Sequence, residues 1–141
     1  MRLNMKHLFY RIVFGVFLCS SLIACGRNNY ISFIEKQINN ELDNMQSYES
    51  VVIIPGSGCT GCINSAEQFF LNNVSDTSYF YIFTNYFSKK SLRLRLGESN
   101  LMKKNVYLDS CDVFYSDKYN ESIYPVKVYI NNGRVNTVTR F

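Results

Sequence analysis

The stretch Val51-Val52-Ile53-Ile54-Pro55-Gly56-Ser57-Gly58-Cys59-Thr60-Gly61-Cys62-Ile63-Asn64-Ser65-Ala66-Glu67-Gln68-Phe69-Phe70 decides how this chain folds. Val51 to Ile54 are all β-branched, which suits a strand buried on both faces, and the Pro/Gly/Ser cluster after them ends it. Beyond the turn, Cys62, Ala66, Phe69 and Phe70 recur at the three-to-four spacing of one helix face. Cys59 and Cys62 therefore fall one turn apart at a strand-to-helix junction. Unpaired N–H groups and the helix dipole favour a thiolate there. In an exchange reaction Cys59 is then the nucleophile and Cys62 the resolving thiol. A small structural disulfide or two inert thiols is the other reading of the same residues.

The amino end reads as targeting. Arg2, Lys6 and Arg11 precede an apolar run from Ile12 to Ala24, and no acidic residue comes before Glu35. That is the grammar of a secretory signal. The run is too short for a stable membrane span, which needs about 20 residues. Its end, Leu22-Ile23-Ala24-Cys25, resembles the lipobox of bacterial lipoproteins. The resemblance implies lipid on Cys25 as first mature residue, on the extracytoplasmic side of a membrane of the bacterial cell envelope. Ordinary cleavage after a small residue is the alternative.

Removing the first 24 of 141 residues leaves 117, enough for one compact domain. We divide the chain into a lipoprotein signal at 1–24, a lipid-anchored tether with an amphipathic helix at 25–47, and a domain at 48–141. Loss of Arg2, Lys6 and Arg11 leaves twelve basic against eleven acidic residues. The basicity of the full chain is thus mostly a targeting feature and gives no reason to expect nucleic acid as a partner.

Of the five cysteines, Cys59, Cys62 and Cys111 remain available once Cys19 leaves with the signal and Cys25 takes lipid. The single histidine, His7, leaves too. This excludes a Cys/His nucleophile pair and a mixed Cys/His zinc site. Ile63 stands where c-type haem attachment needs histidine, and four-cysteine metal sites lack a second pair. Cys111 reads as a buried core cysteine. Alternatively it is a third redox thiol or, with Cys59 and Cys62, a three-sulfur site for a soft metal such as Cu(I). No cofactor is expected beyond a redox-active Cys59 to Cys62 disulfide.

The remaining elements follow from periodicity. Ile31, Ile34, Ile38, Leu42 and Met45 predict an amphipathic helix over 31–46. Strands are expected at 50–54, 79–84 and 106–108, and the thiol helix at 59–72. A helix is expected near 87–96, followed after Gly97 by a second short turn or helix. Its basic residues, Arg95 among them, read as a solvated face. Val126, Val128 and Ile130 alternate with Lys127 and Tyr129, and Asn132-Gly133 offers a type I′ turn into Val135, Thr137 and Thr139.

With these elements placed, residues 48–141 resemble a thioredoxin-fold domain, particularly the membrane-anchored extracytoplasmic thioredoxin-like proteins of bacteria. Three stretches carry the resemblance: Cys59-Thr60-Gly61-Cys62 after a strand, Ile123-Tyr124-Pro125-Val126 before the hairpin, and Tyr129 to Val135 as its turn. It implies an α/β fold with a mixed sheet of four to five strands, flanking helices and a C-terminal hairpin. It also implies a cis proline at Pro125 which, with Tyr124, presents backbone to a substrate peptide. The implied activity is thiol-disulfide exchange on exported cysteine-containing proteins, with a partner that recharges the pair. Three features depart from the family. Ile53 stands where thioredoxins carry a buried acid, no proline lies between the thiols, and the final helix is missing. A non-catalytic binding or assembly lipoprotein with a structural disulfide is the alternative these departures favour. The helix at 31–46 is expected to cover the sheet face that the final helix would otherwise cover.

Overall fold

The computed structural model describes residues 29–141, so the expected signal at 1–24 and the expected lipid site at Cys25 lie outside the described residues. Strands β1 (Ser50–Pro55), β2 (Tyr79–Thr84), β3 (Val106–Leu108), β4 (Val126–Asn131) and β5 (Arg134–Arg140) form one five-stranded sheet in the order β3-β2-β1-β4-β5. β1, β2 and β3 run parallel, while β4 is antiparallel to both β1 and β5. The central strand β1 is buried along its whole length, as an unbroken β-branched run requires.

Helices cover both faces. Alternate β1 residues point to opposite sides, so Val51 and Ile53 share one core layer and Val52 and Ile54 the other. Over the first layer lies α1 (Asn29–Glu41), which buries Tyr30, Ile34 and Ile38 against Val126, Val128 and Val135. Over the second lie α2 (Thr60–Asn73), α3 (Lys89–Leu96) and α4 (Glu98–Leu101). They bury Ile63, Ala66, Phe70, Leu92, Leu96 and Leu101 against Tyr81 and Phe83. This mixed sheet with flanking helices and a C-terminal hairpin is consistent with a thioredoxin-like fold.

Departures from the expected boundaries have local causes. α1 ends at Glu41, not at 46, because Asn44 takes a left-handed conformation (φ 59°) that asparagine tolerates better than most residues. A 3₁₀ turn at Met45–Ser47 then still places Met45 in the core. α3 begins at Lys89 because the Ser88 hydroxyl accepts the Ser91 N–H at 3.1 Å, and Gly97 at φ 83° separates α3 from α4. The inward face of α2 is Ile63, Ala66, Glu67 and Phe70; Cys62 and Phe69, expected inward, are half-buried.

The hairpin turn has positive φ at Asn132 (51°) and Gly133 (73°), the conformation a type I′ turn demands. On the side of β4 away from α1, the Lys127 ammonium lies over the rings of Phe69, Tyr79 and Tyr129 at 5.4, 4.6 and 5.1 Å. That face is closed by a lysine among aromatic rings and otherwise carries exposed Thr137 and Thr139.

Candidate functional site

The parallel strands β1, β2 and β3 all end on one side of the molecule, where β4 begins. Four connections meet there: residues 56–59, 85–88, 109–112 and 120–125. Within this cluster Cys59 and Cys62 form a disulfide with their Cα atoms 5.3 Å apart. Cys59 is the N-cap of α2 and extended in backbone, and its carbonyl accepts the Ile63 N–H at 2.9 Å as the first bond of the helix. No side chain caps this amino end, so the first-turn N–H groups and the helix dipole act on the Cys59 sulfur. Both cysteines are half-buried.

Backbone contacts hold the pair against the loop before β4. The Cys59 N–H donates to the Ile123 carbonyl at 3.2 Å. Gly58, at φ 131°, allows this approach: a Cβ on it would stand 2.3 Å from the Ile123 carbonyl oxygen. Gly56 plays the same part on the other side, where a Cβ would stand 2.4 Å from Tyr86 Cα. The Asn85 amide donates to the Ser57 hydroxyl at 2.9 Å and the Asn85 N–H to the Asp112 carboxylate at 2.7 Å, which ties three of the four connections together.

Pro125 is at the position the family resemblance assigns to a cis proline, but its peptide bond is trans, as are all those of the described residues. Tyr124 before it is extended (φ −106°, ψ 140°), the region a residue preceding proline favours. Pro125 is buried and its carbonyl accepts the Phe141 N–H at 3.2 Å. The Tyr124 ring lies 4.4 Å beneath the Arg140 guanidinium. Ile123, whose carbonyl meets the Cys59 N–H, is exposed.

Cys111, expected in the core, is exposed instead. The interior position of its loop is taken by Asp109, which is fully buried. The Asp109 carboxylate accepts from Thr84 Oγ1 at 2.7 Å and from the backbone N–H groups of Cys111, Val113 and Phe114 at 3.3, 3.1 and 2.9 Å. Cys111 is pushed outward by this folding of the chain around a carboxylate. The three-sulfur metal site has no support: Cys59 and Cys62 are bonded to each other, and among the described residues no three His, Cys, Asp or Glu side chains are placed to hold a metal. Burial, then Asp109, raises the hydroxyls of Tyr86 and Tyr107 above the ordinary tyrosine range, and Cys111 adds to both.

Sequence reasoning missed an ion pair beside the site. Glu67, buried on α2, binds Arg95 of α3 in two-pronged fashion, at 2.7 Å to Oε1 and 3.3 Å to Oε2. The pair floors an open depression of about 180 Å³ bordered by Gly56, Gly58, Thr60 and Asn64. The signal was present: Glu67 stands four residues after Ile63 and three before Phe70, on the apolar period of α2. Ile53, at the position where the family resemblance places an acid, points into the layer beneath α1. No family model, curated protein or solved structure matches this chain.

Proposed function

We propose that this protein exchanges thiols and disulfides with cysteines of exported proteins, carried at a bacterial membrane by lipid on Cys25. The observation that supports this best is a half-buried disulfide at the uncapped amino end of a 14-residue helix, where four connections meet. In the reduced protein the Cys59 thiolate attacks a partner disulfide, forming a mixed disulfide and expelling one partner sulfur as thiolate. Cys62, deprotonated, then attacks Cys59 Sγ and releases the second partner sulfur. Two electrons pass to the partner, and the Cys59–Cys62 bond forms again. The reverse sequence oxidises a partner dithiol, and the direction follows from the potential of each couple. Pro125 and Tyr124 set the backbone that places Ile123 against Cys59, and are the proposed substrate-side residues.

A second reading, a binding or assembly protein with a locked disulfide, draws on Ile53: β1 offers no acid to take the Cys62 proton. One experiment separates the two. Exchange predicts, in a Cys111→Ser background, that the pair equilibrates with a glutathione redox buffer and that Cys62→Ser accumulates a mixed disulfide on Cys59, while Cys59→Ser accumulates none. A pair that stays oxidised in mild reductant, with Cys59→Ser costing stability alone, selects the locked disulfide.

A further inference from the structure

The course of α1 carries information about where this disulfide works. The amino end of α1 is fastened at the disulfide end of the molecule. The Tyr30 and Phe33 rings stack on Tyr119 at 5.7 and 5.0 Å, and Tyr30 and Ile31 border a cleft shared with Glu121, Val126 and Arg140. Tyr119 and Glu121 lead directly into Ile123, which holds the Cys59 N–H. The helix then runs away from the disulfide. Glu35 accepts the Val135 N–H at 3.3 Å, and the following 3₁₀ turn brings Gln46 against Gly133 at the hairpin tip. The 13 residues of α1 carry the chain about 20 Å from one end to the other.

Asn29, the first described residue, is only four peptide steps past Cys25. Even fully extended, such a segment reaches about 14 Å. A lipid on Cys25 therefore holds the disulfide end, not the hairpin end, at the membrane. An independent observation points the same way. Phe87, 103 % exposed, is the most exposed large apolar side chain among the described residues. It projects from the 85–88 connection at the disulfide end, two residues before the exposed Lys89 and Lys90. An aromatic ring beside lysines suits the boundary between headgroups and acyl chains.

We propose that the disulfide end of this protein faces the lipid surface, so that its exchange partners are cysteines of proteins embedded in or seated on the same membrane. This rests on the exchange reading and on lipidation of Cys25. The full-length lipidated protein in phosphatidylethanolamine and phosphatidylglycerol vesicles tests it, with a quencher on the headgroups. A dye on the native Cys111 thiol, with Cys59–Cys62 oxidised, is expected to be quenched several-fold more than a dye on Thr77→Cys in a Cys111→Ser background. Thr77 lies before β2, at the opposite end.

A long Gly/Ser insert between Gly26 and Arg27 is expected to erase that difference. The same insert should slow reduction of the pair by a lipid-displayed dithiol several-fold while leaving reduction by soluble dithiothreitol unchanged. Equal quenching at the two positions, or absence of lipid on Cys25 by mass spectrometry, overturns the inference. So does equal reduction of native and lengthened protein by the lipid-displayed dithiol, and in that case normal reduction by dithiothreitol leaves the exchange reading standing. If dithiothreitol too fails to reduce either protein, the exchange reading falls and the membrane-facing role falls with it.

Discussion

At the scale of single residues, the site depends on groups that are not sulfur. Asp109 is buried and serves four donors at once, so its removal strands the Phe114 N–H and the Thr84 hydroxyl in the interior and leaves the part-buried N–H groups of Cys111 and Val113 without their acceptor. Each stranded group costs roughly 1–3 kcal/mol, less whatever water recovers. Asp109→Ala should therefore lower stability by about 3 kcal/mol in urea unfolding and loosen the loop bearing Cys111, seen as faster alkylation of that thiol. Two glycines near the cysteines should respond oppositely to alanine. At Gly58 a Cβ would strike the Ile123 carbonyl and the φ of 131° resists any side chain. Gly58→Ala should destabilise by more than about 1 kcal/mol and shift the redox potential of the pair, since the Cys59 N–H is displaced. At Gly61 nothing lies within 4 Å of the added carbon, and Gly61→Ala should stabilise by about 0.5 kcal/mol through helix propensity alone.

Among the elements, α1 closes one face of the sheet. A strand sheet with an apolar face must be covered, and here the amino-terminal helix covers it with Ile34 fully buried between β1 and the hairpin. Ile34→Ala should cost about 3 kcal/mol, read as a lower denaturation midpoint, whereas Glu41→Ala at the exposed end of the helix should be near neutral. A midpoint unchanged by Ile34→Ala would mean that α1 is not docked. Which elements could be read from the residues follows from how each is determined. β1, β2, β3 and the hairpin were legible because a β-branched or aromatic run and an Asn-Gly turn constrain the backbone locally. The same holds for the start of α2 at the cysteines. The inward face of α2 was misread because its first turn packs by Ile63, and Glu67 is buried only through Arg95, which comes from α3. The exposure of Cys111 was illegible for a similar reason: what displaces it is Asp109 reaching Thr84 across the sheet end, a contact that no local pattern announces.

For the molecule as a whole, buried tyrosines bear on how stability changes at alkaline pH. Burial, first of all causes, holds the hydroxyls of Tyr30 and Tyr81 above the ordinary tyrosine range; Glu121 reinforces it at Tyr30 and Tyr79 at Tyr81, while Arg140 opposes it at Tyr30. The Tyr81 hydroxyl is buried with no hydrogen-bond partner, so nothing in its surroundings would welcome a phenolate. In the unfolded chain these groups lose their protons near pH 10, while in the folded protein they keep them. Above that pH the unfolded state thus binds fewer protons than the native state, and the stability present in full below about pH 10 is lost as pH rises. Each such tyrosine contributes a slope of up to about 1.4 kcal/mol per pH unit. Urea midpoints of the oxidised protein, with Cys111 alkylated to prevent disulfide shuffling, should be flat from pH 7 to 9 and fall steeply from 10 to 11. The double variant Tyr30→Phe, Tyr81→Phe should fall less steeply over the same interval. Tyr81→Phe alone should also raise the midpoint at neutral pH, because it removes the unpaired hydroxyl from the layer shared by Phe70 and the sheet. An equally steep fall in the double variant would assign the alkaline loss to other groups and leave the two buried rings with a packing role only.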